Sequence, residues 1–196
     1  ELVKETLLVD AQGKPVEGDA FGLDVLKQYK DWKAGVVKAE EMKYPVYKAQ
    51  KDGQMLYVLP MMGTGLWGPV WGYLSVKDDG RTINGSTFDH KGETPGLGAE
   101  IATPIFEEPF EGKTFTDEEG AYTGIKVYKG GAGTTDPHGV DGISGGTITS
   151  QGVDEMLMRT LAIYDLYLKS TIVKAPEPVV EVTVMDTLAT QATDIQ

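Results

Sequence analysis

Residues 141–150, Asp-Gly-Ile-Ser-Gly-Gly-Thr-Ile-Thr-Ser, put three glycines and four hydroxyl side chains into ten positions immediately ahead of an amphipathic segment. Hydroxyls in such a turn can attack, bind a phosphate, accept a group, or cap a helix. Gly142-x-Ser144-x-Gly146 has the spacing of a nucleophile elbow, but that arrangement needs a histidine base after the serine. His90 and His138 both precede it. A nucleotide phosphate loop needs a lysine followed by Ser or Thr at its end, and neither Gly145-Gly146-Thr147 nor the Gly130-Gly131-Ala132-Gly133 stretch supplies one. Two uses remain. A hydroxyl here can receive a group attached by another enzyme, the glycines giving room for a bulky phosphate and the following helix amides facing the anion. Alternatively Thr147, Thr149 and Ser150 cap that helix, with Ser150 as the N-cap and Asp154 and Glu155 complementing its dipole.

Composition narrows the partners. Eighteen basic against thirty acidic residues give a formal net charge of -12, and no Lys/Arg cluster could neutralise a run of phosphates, which excludes nucleic acid as a partner. The absence of cysteine excludes disulfides, thiolate metal sites and a cysteine nucleophile. Two isolated histidines without metal-ligand spacing fit surface or hydrogen-bonding roles and are assigned no site.

The elements that must position the turn read as α+β, a mixed, largely antiparallel sheet packed by helices. After a polar start, Phe21, Val25, Leu26, Tyr29 and Trp32 recur at helical spacing, predicting a helix over 21–32 ended by Gly35. Strand-like runs 44–49 and 54–60 flank Lys51-Asp52-Gly53, a hairpin signal. Residues 66–76 predict a third strand, 81–90 a fourth and 121–129 another. The uncharged stretch 53–76 is long enough to cross a bilayer, but Pro60, Pro69 and four glycines favour two core strands around a glycine turn. A helix is predicted from Gly152 to Lys169, where Val153, Leu157, Leu161, Tyr164 and Leu168 line one face. Residues 175–196 read as a tail with one edge strand in 179–184, leaving 1–174 as the domain.

Asp141-Gly142-Ile143-Ser144-Gly145-Gly146-Thr147 resembles the flavinylation motif D-G-x-S/T-G-A-T, with Gly146 in place of alanine. Leu66-Trp67-Gly68-Pro69-Val70-Trp71-Gly72-Tyr73 and the His90–Gly98 segment HKGETPGLG are similar, in order and spacing, to blocks that precede that motif in the C-type subunit of the sodium-translocating NADH:quinone oxidoreductase and the G-type subunit of the related Rnf complex. The resemblance implies FMN joined to Thr147 through a phosphoester by a flavin transferase that uses FAD. Ser144, Gly145, Gly146, Thr149 and Ser150 would surround the phosphate, and Glu93, Thr94, Leu97 and Gly98 would lie along the ring and ribityl chain. Leu66 and Trp67 would be further contacts, although for Trp67 and Trp71 core packing is the alternative. It also implies an electron carrier on the outer, periplasmic face of a bacterial inner membrane, held by an N-terminal helix. Its partners would be the other subunits of a complex coupling NADH oxidation by quinone to sodium export. The Rnf complex, or a binding domain of the same fold without flavin, is the alternative. Acidic surroundings would disfavour anionic reduced flavin, screened beyond about 8–10 Å.

Overall fold

The computed structural model describes residues 2–131 and 135–172. Six strands form one sheet in the order β2-β1-β3-β4-β5-β6: β1 (Val3–Val9), β2 (Pro15–Val16), β3 (Tyr44–Lys51), β4 (Gln54–Thr64), β5 (Pro69–Lys77) and β6 (Ile83–His90), every pair antiparallel. A short parallel pair, β7 (Lys126–Tyr128) and β8 (Gly139–Asp141), stands apart. The helices are α1 (Val25–Lys33), the single turn α2 (Pro104–Glu107) and the long α3 (Thr147–Ile172). The class is therefore α+β, as expected.

The core lies between α3 and the sheet. Val153, Met156, Leu157, Leu161, Tyr164 and Leu168 are buried on the helix, and Val46, Leu59, Met61, Leu74 and Val76 on the strands. The hairpin at Asp52-Gly53 forms as its residues dictate, with φ of 52° and 83°. The uncharged 53–76 stretch becomes β4 and β5, and no helix of the described residues is long and apolar enough to cross a membrane.

Two prolines create a local problem that α3 solves. The β3–β4 register, Tyr47 opposite Val58, places Pro45 opposite Pro60. Neither has an N–H to give, so the carbonyls of both face Tyr164, whose buried hydroxyl lies 2.9 Å and 2.8 Å from them and donates. We expect Tyr164→Phe to cost about 1–3 kcal/mol in urea denaturation, because both carbonyls then lose their partner in the core.

Asp165, one turn from the end of the α3 core stripe, is also buried, with one carboxylate oxygen 2.6 Å from Lys169 Nζ and the other without a partner among the described residues. Burial pushes its carboxyl above the ordinary 3.8, against the pull of the Lys169 ammonium. Its stabilising contribution is thus fully present below the unfolded-state pKa and lost as pH rises through the folded one. Asp165→Asn removes this titration, so the variant should gain stability over the parent at pH 7 and lose that gain near pH 3, read from denaturation midpoints.

Several boundaries differ from the sequence reading. The first twenty residues are not merely polar: VKETLLV forms β1 against β3 and buries Leu8 and Val9. Helix α1 begins at Val25, where the Asp24 carboxylate accepts from Lys27 N at 2.8 Å, and Phe21 instead stacks on Tyr47 with centroids 5.0 Å apart. The third strand starts at Pro69 because Gly65 N donates to Gly68 O and closes a turn with Leu66 and Trp67 at its tip. Trp67 is 68% exposed, so core packing is wrong for it. Strand β6 starts at Ile83, after Asp79 has capped the preceding turn through the amides of Arg81 and Thr82. Of 121–129 only 126–128 is strand, and it pairs in parallel. Helix α3 begins five residues before Gly152, so Ser150 is an interior residue and not the N-cap. Asp154 and Glu155 consequently lie beyond the first turn, binding Val127 N and Arg159. The segment 175–196, with its expected edge strand, lies outside the described residues.

Candidate functional site

The chain leaves β8 at Asp141, turns through Ser144-Gly145 and enters α3 at Thr147. Three hydrogen bonds fix this loop: Gly142 N to Tyr128 O at 2.8 Å, Gly146 N to Ile143 O at 3.0 Å, and Ile143 N to Ser150 Oγ at 2.9 Å. The serine expected as a cap instead reaches back from the helix and holds the loop that feeds it. Gly145 has φ +75°, a conformation side chains resist, and a Cβ there would also meet Leu97 Cδ2 at 2.6 Å. The amides of Thr147, Ile148 and Thr149 find no acceptor among the described residues, and neither does the half-buried Thr147 hydroxyl. A glycine cradle therefore opens onto three unpaired amides beside an unpaired hydroxyl. That donor set suits a phosphate carried on Thr147.

Two segments remote in sequence complete the surroundings. The turn at 65–68 and the loop at 93–98 both meet Glu93, which is 4% exposed. Its Oε2 accepts from Thr149 Oγ1 at 2.5 Å, its Oε1 accepts from Trp67 N at 2.8 Å, and its own amide donates to His90 Nδ1 at 3.1 Å. A Cβ on Gly65 would lie 2.7 Å from Oε1 and one on Gly98 2.6 Å from Oε2, so these glycines make the room the carboxylate occupies.

Thr147 borders two clefts. On one side a groove of about 220 Å³ is lined by Leu66, Glu93, Thr94, Leu97 and Gly98 together with residues 145–149. On the other a cleft of about 570 Å³ is walled by Val127–Gly131, the 142–145 loop and Ser150, Gln151 and Asp154 of α3. Every residue expected at the site lines one of the two except Trp67, which joins only through its backbone amide. Leu66 is 48% and Leu97 43% exposed, giving the groove an apolar rim.

The wall formed by Tyr128, Lys129 and Asp154 had no signal in the sequence beyond proximity to glycines. Asp154 Oδ1 accepts from Val127 N at 2.7 Å and so fixes β7 against α3. Tyr128 donates to Asp136 at 2.6 Å, a bond that holds the phenol above its usual pKa and the Asp136 carboxyl below its own. The exposed Lys129 puts a positive charge at the mouth of a cleft whose other charged wall residue is Asp154.

Residues 65–162 match the model of the FMN-binding domain family, a span that begins at the 65–68 turn and includes the 93–98 loop and the start of α3. The C-type subunit of the Na(+)-translocating NADH-quinone reductase from Vibrio anguillarum is 37% identical over 161 residues, covering 76% of this chain and 63% of its own length. The crystal structure of the same subunit from Parabacteroides distasonis superposes with a TM-score of 0.74 at 48% identity, over 85% of this chain and 78% of that one. NqrC from Shewanella oneidensis gives 0.65 at 29% identity, over 87% and 85%. The chain spans less than two thirds of the length of the Vibrio relative and 41% of that of the Yersinia pestis relative. By its sequence and by its fold, the chain belongs to the FMN-binding domain family, in the branch formed by the C-type subunits of the sodium-translocating NADH-quinone reductases.

Proposed function

We propose that this chain is the flavin-carrying domain of a sodium-translocating NADH:quinone oxidoreductase, with FMN joined to Thr147 through a phosphoester. The observation that carries this reading is the Thr147 hydroxyl, unpaired among the described residues, beside the three unpaired amides of the first α3 turn and over a loop that lacks side chains at 145 and 146. Thr147 Oγ is the anchor. The amides of residues 147–149 lower the cost of holding phosphate charge there, and Gly145 and Gly146 let the loop beside them pack against Leu97, Ile143 and Gly98. With both Glu93 oxygens engaged, the ring surface falls to Thr94, Leu97 and Leu66. FMN supplies a carrier of one or two electrons, and the protein sets its potential through charge, burial and hydrogen bonds.

Attachment is a phosphoryl transfer from FAD held by a flavin transferase. The Thr147 Oγ–P bond forms as the pyrophosphate bond breaks, AMP leaves, and the hydroxyl proton passes to a base on the transferase, with no change in oxidation state. An ester that cannot dissociate lets a partly exposed ring meet successive partners without loss of the flavin. That property suits a relay among the other subunits of a complex driving sodium export, with this domain on the outer face of a bacterial inner membrane. Intact mass after coexpression with the transferase tests the assignment. The expected product is one FMN ester per chain, located to the tryptic peptide ending at Arg159. An unmodified mass under those conditions would instead favour a binding domain of the same fold without flavin.

A further inference from the structure

We propose that Glu93 is the positioning residue of the attachment site: its buried carboxylate ties the first turn of α3 to the 65–68 and 93–98 segments and thereby presents the Thr147 hydroxyl for transfer. This rests on the reading of Thr147 as the acceptor. The first turn of α3 has little to hold it locally. Thr147, Ile148 and Thr149 are β-branched and poor helix formers, their amides have no acceptor among the described residues, and glycines stand at 145, 146 and 152. Besides the local bonds of Ser150 to Ile143 N and Gly146 O, a tertiary contact holds it.

Glu93 makes that contact from 56 residues away through Thr149, and from 26 residues away through Trp67 N. Thr149 is two positions beyond Thr147, a rotation of about 200° on an α-helix. The carboxylate thus grips the turn at a residue on the opposite side of the helix axis from Thr147, while Thr147 borders both clefts. Gly65 and Gly98 make the space specific to this side chain, since a Cβ at either would intrude on a different carboxylate oxygen. A frayed turn would let Thr147 Oγ wander relative to a FAD phosphorus bound on another protein, and transfer rates fall steeply with such misplacement.

The test is the rate of FMN attachment to purified, folded chain by transferase and FAD, followed by intact mass, with melting curves on the same samples. Glu93→Ala and the near-isosteric Thr149→Val should each slow attachment at least tenfold, and the double variant should be no slower than the slower single. Glu93→Gln should recover most of the rate, because its amide can accept from Trp67 N and donate to Thr149 Oγ1. Leu161→Ala, a cavity in the α3 core away from the site, should lower Tm yet keep the parent rate. If the parent chain itself takes no FMN, the acceptor reading fails. If the parent is modified and Thr149→Val reacts at the parent rate, or Leu161→Ala slows attachment in step with its loss of Tm, the positioning role is overturned while the acceptor reading stands.

Discussion

Thr147→Ala abolishes covalent flavin and leaves the fold intact. The two halves of this expectation have separate causes. The hydroxyl is the only acceptor atom the residue carries, so its removal leaves nothing to esterify. It also makes no hydrogen bond among the described residues, and alanine is the better helix former by roughly 0.5 kcal/mol, so stability should be unchanged or slightly raised. In-gel flavin fluorescence of the denatured, coexpressed chain reads the first half, and a thermal melt of the same sample reads the second. The neighbouring hydroxyls cannot take over equally. Thr149 is buried and donates to Glu93, and the Ser150 oxygen already accepts from Ile143 N. Only Ser144 is exposed, and an adduct that survives in Thr147→Ala and maps to Ser144 would show the acceptor to be wrong.

Gly152→Ala should be strongly destabilising although it lies inside a helix, where alanine is normally preferred by about 1 kcal/mol. The last residues of β4 cross α3 here. A Cβ on Gly152 would run into the Thr64 carbonyl, and one on Gly63 would lie 2.8 Å from Met156 Cβ. Backbone cannot rotate aside as a side chain can, so helix or strand must shift, and overpacking of this kind costs about 3 kcal/mol. The net loss of about 2 kcal/mol corresponds to a fall in Tm of roughly 4–8 °C for a chain of this size. Because the displaced turn adjoins Thr147, flavin attachment should fall as well. A Tm at or above that of the parent would show that propensity outweighs the crossing contact.

Much of the site was legible because its constraints are local. A glycine at φ +75° and a motif whose threonine precedes an amphipathic stripe leave their mark on consecutive residues, and so does the Asp-Gly hairpin. The start of α3 left no such mark. Three β-branched residues fall outside the helix predicted from Gly152, yet they form its first turn, with Thr149 bonded to a carboxylate 56 residues upstream. Trp67 misled for the opposite reason: an aromatic among glycines has the composition of core strand, yet the bond from Gly65 N to Gly68 O turns it out into solvent. Strand β1 was missed because five of its seven residues are only half-buried or exposed, so alternation is faint until β3 pairs with it.

By itself the sequence determined the α+β class and the exclusion of thiol chemistry, and its resemblance to a flavinylation motif singled out Thr147 as the proposed acceptor. The first two follow from composition and from hydrophobic period, the third from a resemblance carried by one short segment. Only the tertiary structure decided which way each group faces. Glu93 turns inward as a clamp, Ser150 holds the loop instead of capping the helix, and the wall of Tyr128, Lys129 and Asp154 closes a cleft on Thr147. The physical reason is that a buried hydrogen bond between distant segments depends on how the sheet and α3 pack, and no window of consecutive residues contains both of its ends.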